Sequence, residues 1–123
     1  EKIKGNIVIT SSTLSVTAAP NRCAYTSSKH ATAGMTKQLA IDLAKYDIRV
    51  NAVGPGVIRT PLTERYFQDE EASQKVRNLH ATKRWGEPNE ISSAVLYLAS
   101  EEASFCTGTN LIVDGGWTAG KDW

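Results

Sequence analysis

The residues of this sequence best suited to chemistry are Tyr25 and Lys29, four positions apart, with Ser12 thirteen positions before the tyrosine. Positions i and i+4 of a helix lie on one face, so this spacing brings the phenol hydroxyl and the ammonium towards a common point. A phenol titrates near pH ~10 and is a poor base at neutral pH, but a neighbouring cation favours the phenolate. A serine hydroxyl at a nearby strand end would hold the substrate oxygen while Tyr25 moves the proton. The spacing therefore predicts proton transfer at a substrate oxygen.

Two short apolar segments are predicted to be strands that position these side chains. Residues 6–10 are β-branched without polar alternation, which predicts a strand buried on both faces, and a serine-rich cluster follows at residues 11–15. Residues 48–53 predict a second strand, which stops at Gly54-Pro55-Gly56 because proline lacks a ladder donor and glycine allows close backbone approach. Ligands of parallel α/β sheets bind outside the carboxyl ends of the strands, where both of these segments end.

A helix is predicted between the two strands. From Tyr25 to Lys45, apolar residues recur with helical spacing, and small residues leave little bulk over much of the helix surface. Such a helix packs closely against a sheet on one side and against another helix on the other. Burial within the chain and a subunit interface are both consistent with this pattern.

The second half of the sequence predicts further helices and one more strand. Residues 61–79 are polar, charged and aromatic in turn, which indicates one or two short helices that form either a mobile lid or a solvated insertion. Pro88 favours the start of an amphipathic helix that ends near Ser100, and residues 110–114 form the last strand. This order predicts an α/β fold, a partial doubly wound, Rossmann-like parallel sheet of about three strands with flanking helices.

Composition excludes several classes of function. The sequence has 123 residues and a net charge of +1, with no basic stripe for nucleic acid and no apolar run of ~18 residues for a membrane span. Cys23 and Cys106 lack metal-ligand neighbours, which favours a reduced, cytoplasmic chain without a metal. His30 is interpreted as a packing or surface residue, whereas His80, at the end of the polar segment, is a minor candidate for substrate contact.

Taken together, these segments resemble the short-chain dehydrogenase/reductase family. The resemblance covers essentially all 123 residues but only the carboxyl-terminal half of the family. The matching motifs are Ile9-Thr10-Ser11-Ser12, Tyr25-Thr26-Ser27-Ser28-Lys29, residues 49–56, Arg84-x-Gly86-x-Pro88-x-Glu90-Ile91, and Thr107-Gly108 with Val113-Asp114-Gly115-Gly116. Each motif alone is common, but their joint order and spacing are highly specific.

The resemblance implies hydride transfer between NAD or NADP and an alcohol/carbonyl pair. Tyr25 would be the general acid in reduction and the general base in oxidation. Lys29 would bind the nicotinamide ribose and favour the phenolate form of Tyr25. Ser12 would hydrogen-bond the substrate oxygen and stabilise the charge that develops on it.

Further cofactor contacts follow from the same resemblance. Besides Tyr25 and Lys29, the positions that match the family's cofactor-binding residues are Pro55, Gly56, Ile58 and Thr60. Ile58 and Thr60 match the contacts to the nicotinamide carboxamide and a neighbouring phosphate. The expected partners are a small-molecule alcohol or carbonyl substrate and further copies of the same subunit, as a dimer or tetramer.

One expected feature is missing from the sequence. No G-x-x-x-G-x-G segment precedes the first strand, so nothing in the sequence would cradle the pyrophosphate, and the choice between NAD and NADP stays open. Residues 1–123 are therefore expected to form a single partial domain, the catalytic half of a Rossmann-fold enzyme without its cofactor half. The alternative is a catalytically silent module that serves only oligomerisation or another interaction.

Overall fold

The computed structural model of the chain describes residues 4–120 and contains a three-stranded parallel sheet. The strands are β1 (Gly5–Thr10), β2 (Ile48–Pro55) and β3 (Asn110–Val113), in the spatial order β1-β2-β3. Thr10 pairs with Val53, and Ala52 pairs with Asn110, so all three strands point the same way. The predicted parallel α/β architecture is confirmed.

Helices connect the strands as the sequence predicts. The α-helices are α1 (Cys23–Leu43), α2 (Glu70–Leu79) and α3 (Pro88–Ala99), and 3-10 turns lie at Thr13–Ser15, Ala44–Tyr46, Glu64–Phe67 and Glu101–Ala103. The Asp69 side chain caps α2 by accepting the Ala72 N–H, and Pro88 occupies the first turn of α3. The prediction of short helices in residues 61–79 is confirmed. No helix within residues 4–120 is long and apolar enough to cross a membrane.

The core lies between β2 and α3. Val53 of β2, Leu98 of α3 and Ala103 are fully buried and pack together. Arg49 fastens the end of α3 to the sheet, because its guanidinium donates to the carbonyls of Leu98, Ser100 and Cys106 at 2.9, 3.0 and 3.2 Å. The last carbonyls of a helix have no partner within the helix, so the bonds to Leu98 and Ser100 satisfy acceptors at the end of α3.

The prediction that residues 6–10 form a strand buried on both faces is wrong. Ile7 is 40% exposed, and β1 pairs only with β2 among the strands that the structure describes. The apolar composition of the strand indicated burial, but burial also requires neighbouring elements. Within the described part of the chain, β1 is an edge strand whose surface is only partly covered.

Helix α1 is also less buried than its pattern indicates. Only Thr36 and Ala40 are buried on this helix, whereas Met35 is 47% and Ile41 is 74% exposed. The helix begins at Cys23 rather than Tyr25, and Cys23 itself is exposed. One narrow face packs on the sheet, and among residues 4–120 much of the remaining apolar and small-residue surface of α1 is left exposed.

Candidate active site

Tyr25 and Lys29 lie side by side on the first turns of α1. The Lys29 Nζ is 5.6 Å from the centre of the Tyr25 ring, within the range of a cation–π contact. The same ammonium donates to the Thr10 carbonyl oxygen at 3.2 Å, which ties α1 to the carboxyl end of β1. The Tyr25 side chain is 47% exposed and therefore accessible to a ligand.

Ser12 follows β1 at the same edge of the sheet, two residues after the carbonyl that holds Lys29. It is 7% exposed and caps the 3-10 turn Thr13–Ser15, because its Oγ accepts the Leu14 N–H at 3.1 Å. This bond uses an acceptor position of the hydroxyl and leaves its proton for another acceptor. The turn packs against α1, so the structure brings Ser12, Tyr25 and Lys29 to one end of β1.

A buried polar network fixes the Ser12 backbone. The Asn110 Oδ1 accepts the Ser11 hydroxyl at 2.6 Å, and the Asn110 Nδ2 donates to the Ser15 Oγ at 2.8 Å. The Ser15 hydroxyl in turn donates to the Ser12 carbonyl at 2.6 Å. The sequence analysis did not identify Asn110 or Ser15, since an asparagine that starts a strand carries no distinctive signal. The network thus joins the segment that follows β1 to the first residue of β3.

Gly54 allows β2 to approach this network closely. A Cβ at Gly54 would lie 2.5 Å from the Ile112 side chain, 3.0 Å from the Ser11 Oγ and 3.1 Å from the Ser12 carbonyl oxygen. Any larger residue would have to displace the strand end that carries Ser12. The predicted role of this glycine in close backbone approach is confirmed.

The candidate cofactor-binding residues continue from the carboxyl end of β2. The Pro55 carbonyl accepts the Thr13 hydroxyl at 3.1 Å, and the Gly56 N–H donates to the Val113 carbonyl at 3.0 Å. The strand extends through Pro55, two residues beyond its predicted end.

The two remaining cofactor candidates lie in the turn that follows. Thr63 fixes both of them: its Oγ1 donates to the Ile58 carbonyl at 2.5 Å and accepts the Thr60 N–H at 2.9 Å. Ile58 also forms a parallel bridge with Gly86, which connects this turn to the segment before α3. Pro55 and Gly56 therefore lie at the carboxyl end of β2, beside the segment that carries Ser12, and Ile58 and Thr60 lie in the turn after it.

His80 supports the backbone of the segment that follows β2. It is 2% exposed, its Nδ1 lies 2.8 Å from the Val76 carbonyl, and its Nε2 accepts the Val57 N–H at 3.2 Å. Because a main-chain N–H can only donate, the proton of the neutral ring belongs on Nδ1. The suggestion that His80 contacts substrate is wrong, since the ring is buried with both nitrogens engaged. Its role in supporting the Val57 backbone was not predicted.

A parallel α/β sheet with polar side chains at the carboxyl ends of its strands places this chain among the open α/β folds, which include the Rossmann fold. The profile of the family described as Enoyl-(Acyl carrier protein) reductase matches residues 1–118. Cyclopentanol dehydrogenase of Comamonas testosteroni is 45% identical over 116 residues, which are 94% of this chain and 46% of that protein. The chain therefore belongs to the short-chain dehydrogenase/reductase family.

Solved structures give the same result. A mutant 4-hydroxyisoleucine dehydrogenase complexed with NADH and succinate is 47% identical, with a TM-score of 0.95 over 98% of this chain and 50% of that one. A protein from Agrobacterium tumefaciens with bound NADP, described as a putative 2-deoxy-d-gluconate 3-dehydrogenase, is 37% identical, with a TM-score of 0.90. The match covers 95% of this chain and 48% of that protein. The chain spans about half the length of the relatives it matches.

Proposed function

We propose that the chain carries the catalytic residues of an NAD- or NADP-dependent oxidoreductase that interconverts an alcohol and a ketone or aldehyde. The observation that carries this proposal is the position of the Lys29 ammonium. It contacts both the Tyr25 ring and the carbonyl of Thr10, and Thr10 is two residues before Ser12. A phenol, a cation and a hydroxyl are thus gathered at the carboxyl edge of a parallel sheet, where such folds bind ligands.

Each side chain has a definite task in this proposal. Tyr25 takes the hydroxyl proton of the alcohol during oxidation and returns it during reduction. Lys29 stabilises the phenolate form of Tyr25 through its positive charge. Ser12 donates its free proton to the substrate oxygen, which keeps that oxygen near Tyr25 and stabilises negative charge as it develops.

The residues present fit one end of a nicotinamide dinucleotide. Lys29 uses one of its three donors on Thr10, so two remain for ribose hydroxyls. The proposed further contacts, Pro55, Gly56, Ile58 and Thr60, lie at the carboxyl end of β2 or in the turn after it. The nine glycines of the chain include no G-x-x-x-G-x-G loop, so the pyrophosphate end has no cradle within this sequence. The dinucleotide supplies the hydride acceptor or donor when bound.

The relatives narrow the substrate only to alcohols and their carbonyl partners. Cyclopentanol is a neutral alcohol, whereas 4-hydroxyisoleucine carries charged groups, so their names do not decide whether the substrate here is charged. Relatives complexed with NADH and with NADP support either cofactor. The proposal also includes assembly into a dimer or tetramer, which the exposed surface of α1 supports. It further includes a cytoplasmic location, which the free cysteines at positions 23 and 106 support.

Substitution of Tyr25 provides the test of this function. In the protein that contains this chain, Tyr25→Phe should lower ketone-dependent oxidation of NADH or NADPH by about 10²–10⁴-fold, because it removes general acid catalysis. Tyr46→Phe is a matched control, since Tyr46 is 52% exposed and lies beneath Lys45 at 5.0 Å but far along the chain from Ser12. Equal turnover by the Tyr25 variant and the unaltered protein would refute the proposal, as would equal losses in both variants.

A further inference from the structure

A cluster of two arginines and one tyrosine, which begins three residues before Tyr25, has no assigned role. Both an Arg22 nitrogen and an Arg65 nitrogen donate to the Tyr66 hydroxyl oxygen, at 2.9 and 3.0 Å. We propose that this cluster binds the carboxylate of the substrate, so that the alcohol oxidised at Tyr25 is a hydroxy acid and its product an oxo acid. The inference rests on the proposed function, because it specifies the substrate of the same site.

The cluster offers hydrogen-bond donors and no free acceptor. Two guanidinium N–H groups donate to the Tyr66 oxygen, so the hydroxyl keeps its own proton to donate to a further acceptor. Each guanidinium has five donors and uses only some of them on Tyr66. The pKa of Tyr66 is lowered, chiefly by the Arg65 hydrogen bond, which makes the hydroxyl a better donor. Two cations and one donating hydroxyl fit an oxyanion.

The acidic residues close in sequence do not neutralise this cluster. Glu64 pairs with Arg59 at 3.0 Å, Glu70 pairs with Arg77, and Glu71 pairs with Lys75 at 2.8 Å. Asp69 is held by the Ala72 N–H at the start of α2. Within residues 4–120, no carboxylate forms an ion pair with Arg22 or Arg65. The two guanidinium groups therefore repel each other, and a bound anion would reduce this repulsion.

The position of the cluster relates it to the candidate active site. Arg22 is the N-cap residue that immediately precedes α1, and its carbonyl accepts the Thr26 N–H at 2.7 Å, so Arg22 lies three residues before Tyr25 at the first turn. Tyr66 belongs to the 3-10 turn after Thr60. The Arg22–Tyr66 bond thus joins the helix that carries Tyr25 to the segment that carries the cofactor candidates.

The chemistry of the combined site follows from these contacts. A carboxylate forms paired hydrogen bonds with guanidinium groups, and this fixes the orientation of the rest of the molecule. In oxidation, the carbinol C–H bond breaks and its hydride passes to NAD or NADP, while the hydroxyl proton passes to Tyr25. The products are the oxo acid and the reduced dinucleotide, and the carboxylate is unchanged.

Binding of a simple carboxylate tests the cluster without turnover. The probe is succinate, with succinamide as its uncharged analogue and inorganic phosphate as a second anion. Binding is measured from the changes in the arginine Nε–Hε NMR signals of the chain. We expect succinate, but not succinamide, to shift the Arg22 and Arg65 signals saturably. Arg22→Gln and Arg65→Gln should each weaken binding about tenfold or more, the size of a charged hydrogen bond. Lys37→Gln, an equal charge change at an exposed position of α1, should not.

Enzyme activity on charged and uncharged alcohols provides a second test of the carboxylate site. Each arginine variant should lower kcat/KM for hydroxy acids by a larger factor than kcat/KM for uncharged alcohols. Binding unaffected by the arginine variants, or seen with phosphate and not with succinate, would overturn the carboxylate assignment. Tyr25-dependent turnover with no preference for acids would also overturn it while leaving the proposed function intact. Arginine-dependent succinate binding without Tyr25-dependent turnover would support the anion site and refute the proposed function.

Discussion

The Glu90 carboxylate joins the turn before α3 to the helix itself. Arg84 donates to both of its oxygens, at 2.8 and 2.7 Å, and the Glu87 N–H donates to one of them at 2.9 Å. These bonds, the Arg84 bond first, lower the pKa of Glu90 from 4.5 to about 2. The charged form is thus favoured by folding, as part of a capping box at the helix start.

This shift predicts how stability depends on pH. Because the pKa is depressed in the folded state, the contribution of Glu90 is fully present above about pH 4.5 and is lost as the pH falls towards 2. Urea unfolding at a series of pH values between 2 and 6 should show this loss. Glu90→Gln should flatten that part of the curve, whereas Glu101→Gln, at an exposed acid outside this pair, should leave it unchanged. The same slope in Glu90→Gln as in the unaltered chain would contradict the assignment.

At the scale of residues, sequence spacing was enough to bring Tyr25 and Lys29 together. Four positions on a helix fix two side chains on one face whatever surrounds them. Asn110 and His80 could not be found in this way, because their roles depend on partners far away in sequence. Asn110 reaches Ser11 and Ser15, and these contacts exist only after β1 and β3 take their places in the sheet. The catalytic roles of Ser12, Tyr25 and Lys29 stay predictions.

Among the elements, the segment after β2 depends on α2 for its shape. His80, the residue after α2, accepts the Val57 N–H and donates to the Val76 carbonyl. Its ring packs edge to face against Trp117, with 5.7 Å between the ring centres. His80→Leu should lower the free energy of unfolding by about 1–3 kcal/mol, because it leaves a buried N–H and a carbonyl without partners. His80→Gln should lower the free energy of unfolding by a smaller amount, since the glutamine amide oxygen can still accept the Val57 N–H. Denaturant unfolding of both variants checks this order, and a Gln variant no better than Leu would contradict it.

The end of α3 depends on Arg49 of β2 in a similar way. Its guanidinium donates to the carbonyls of Leu98, Ser100 and Cys106, and all three would lose this partner in Arg49→Met. We expect a loss of roughly 2–3 kcal/mol in the free energy of unfolding, the range for hydrogen bonds to a charged group. Arg49→Lys should recover only part of it, since an ammonium lacks the planar fork that reaches separate acceptors. Thermal or denaturant unfolding measures both, and a Met variant as stable as the unaltered chain would refute this capping role.

The number and order of elements could be predicted because each has a local signal. Pro88 starts α3 and Asp69 starts α2, and both are short-range effects of a single residue. The burial of β1 could not be predicted, because an apolar strand has the same composition whether its neighbours are present or not. Ile7 is the residue that shows this difference, apolar in sequence but 40% exposed.

At the scale of the whole molecule, the described residues leave apolar surface open on two elements near the sheet edge. Ile7 on β1 and Met35 and Ile41 on α1 are 40%, 47% and 74% exposed. An edge strand also presents backbone donors and acceptors that can pair with another chain. Exposed apolar surface and an unpaired strand edge together favour association with further protein, whether another segment or a second copy.

For the 123-residue chain studied alone, this surface predicts self-association. Sedimentation velocity should show species larger than the 13.4 kDa monomer, increasing with concentration. Ile7→Lys and Ile41→Lys should each shift the chain towards the monomer, because a charge placed on an open apolar surface opposes its burial. Ser92→Lys adds the same charge at an exposed polar position of α3 and should leave association unchanged. A chain that sediments as a monomer at all concentrations and unfolds cooperatively would show that β1 and α1 need no further covering.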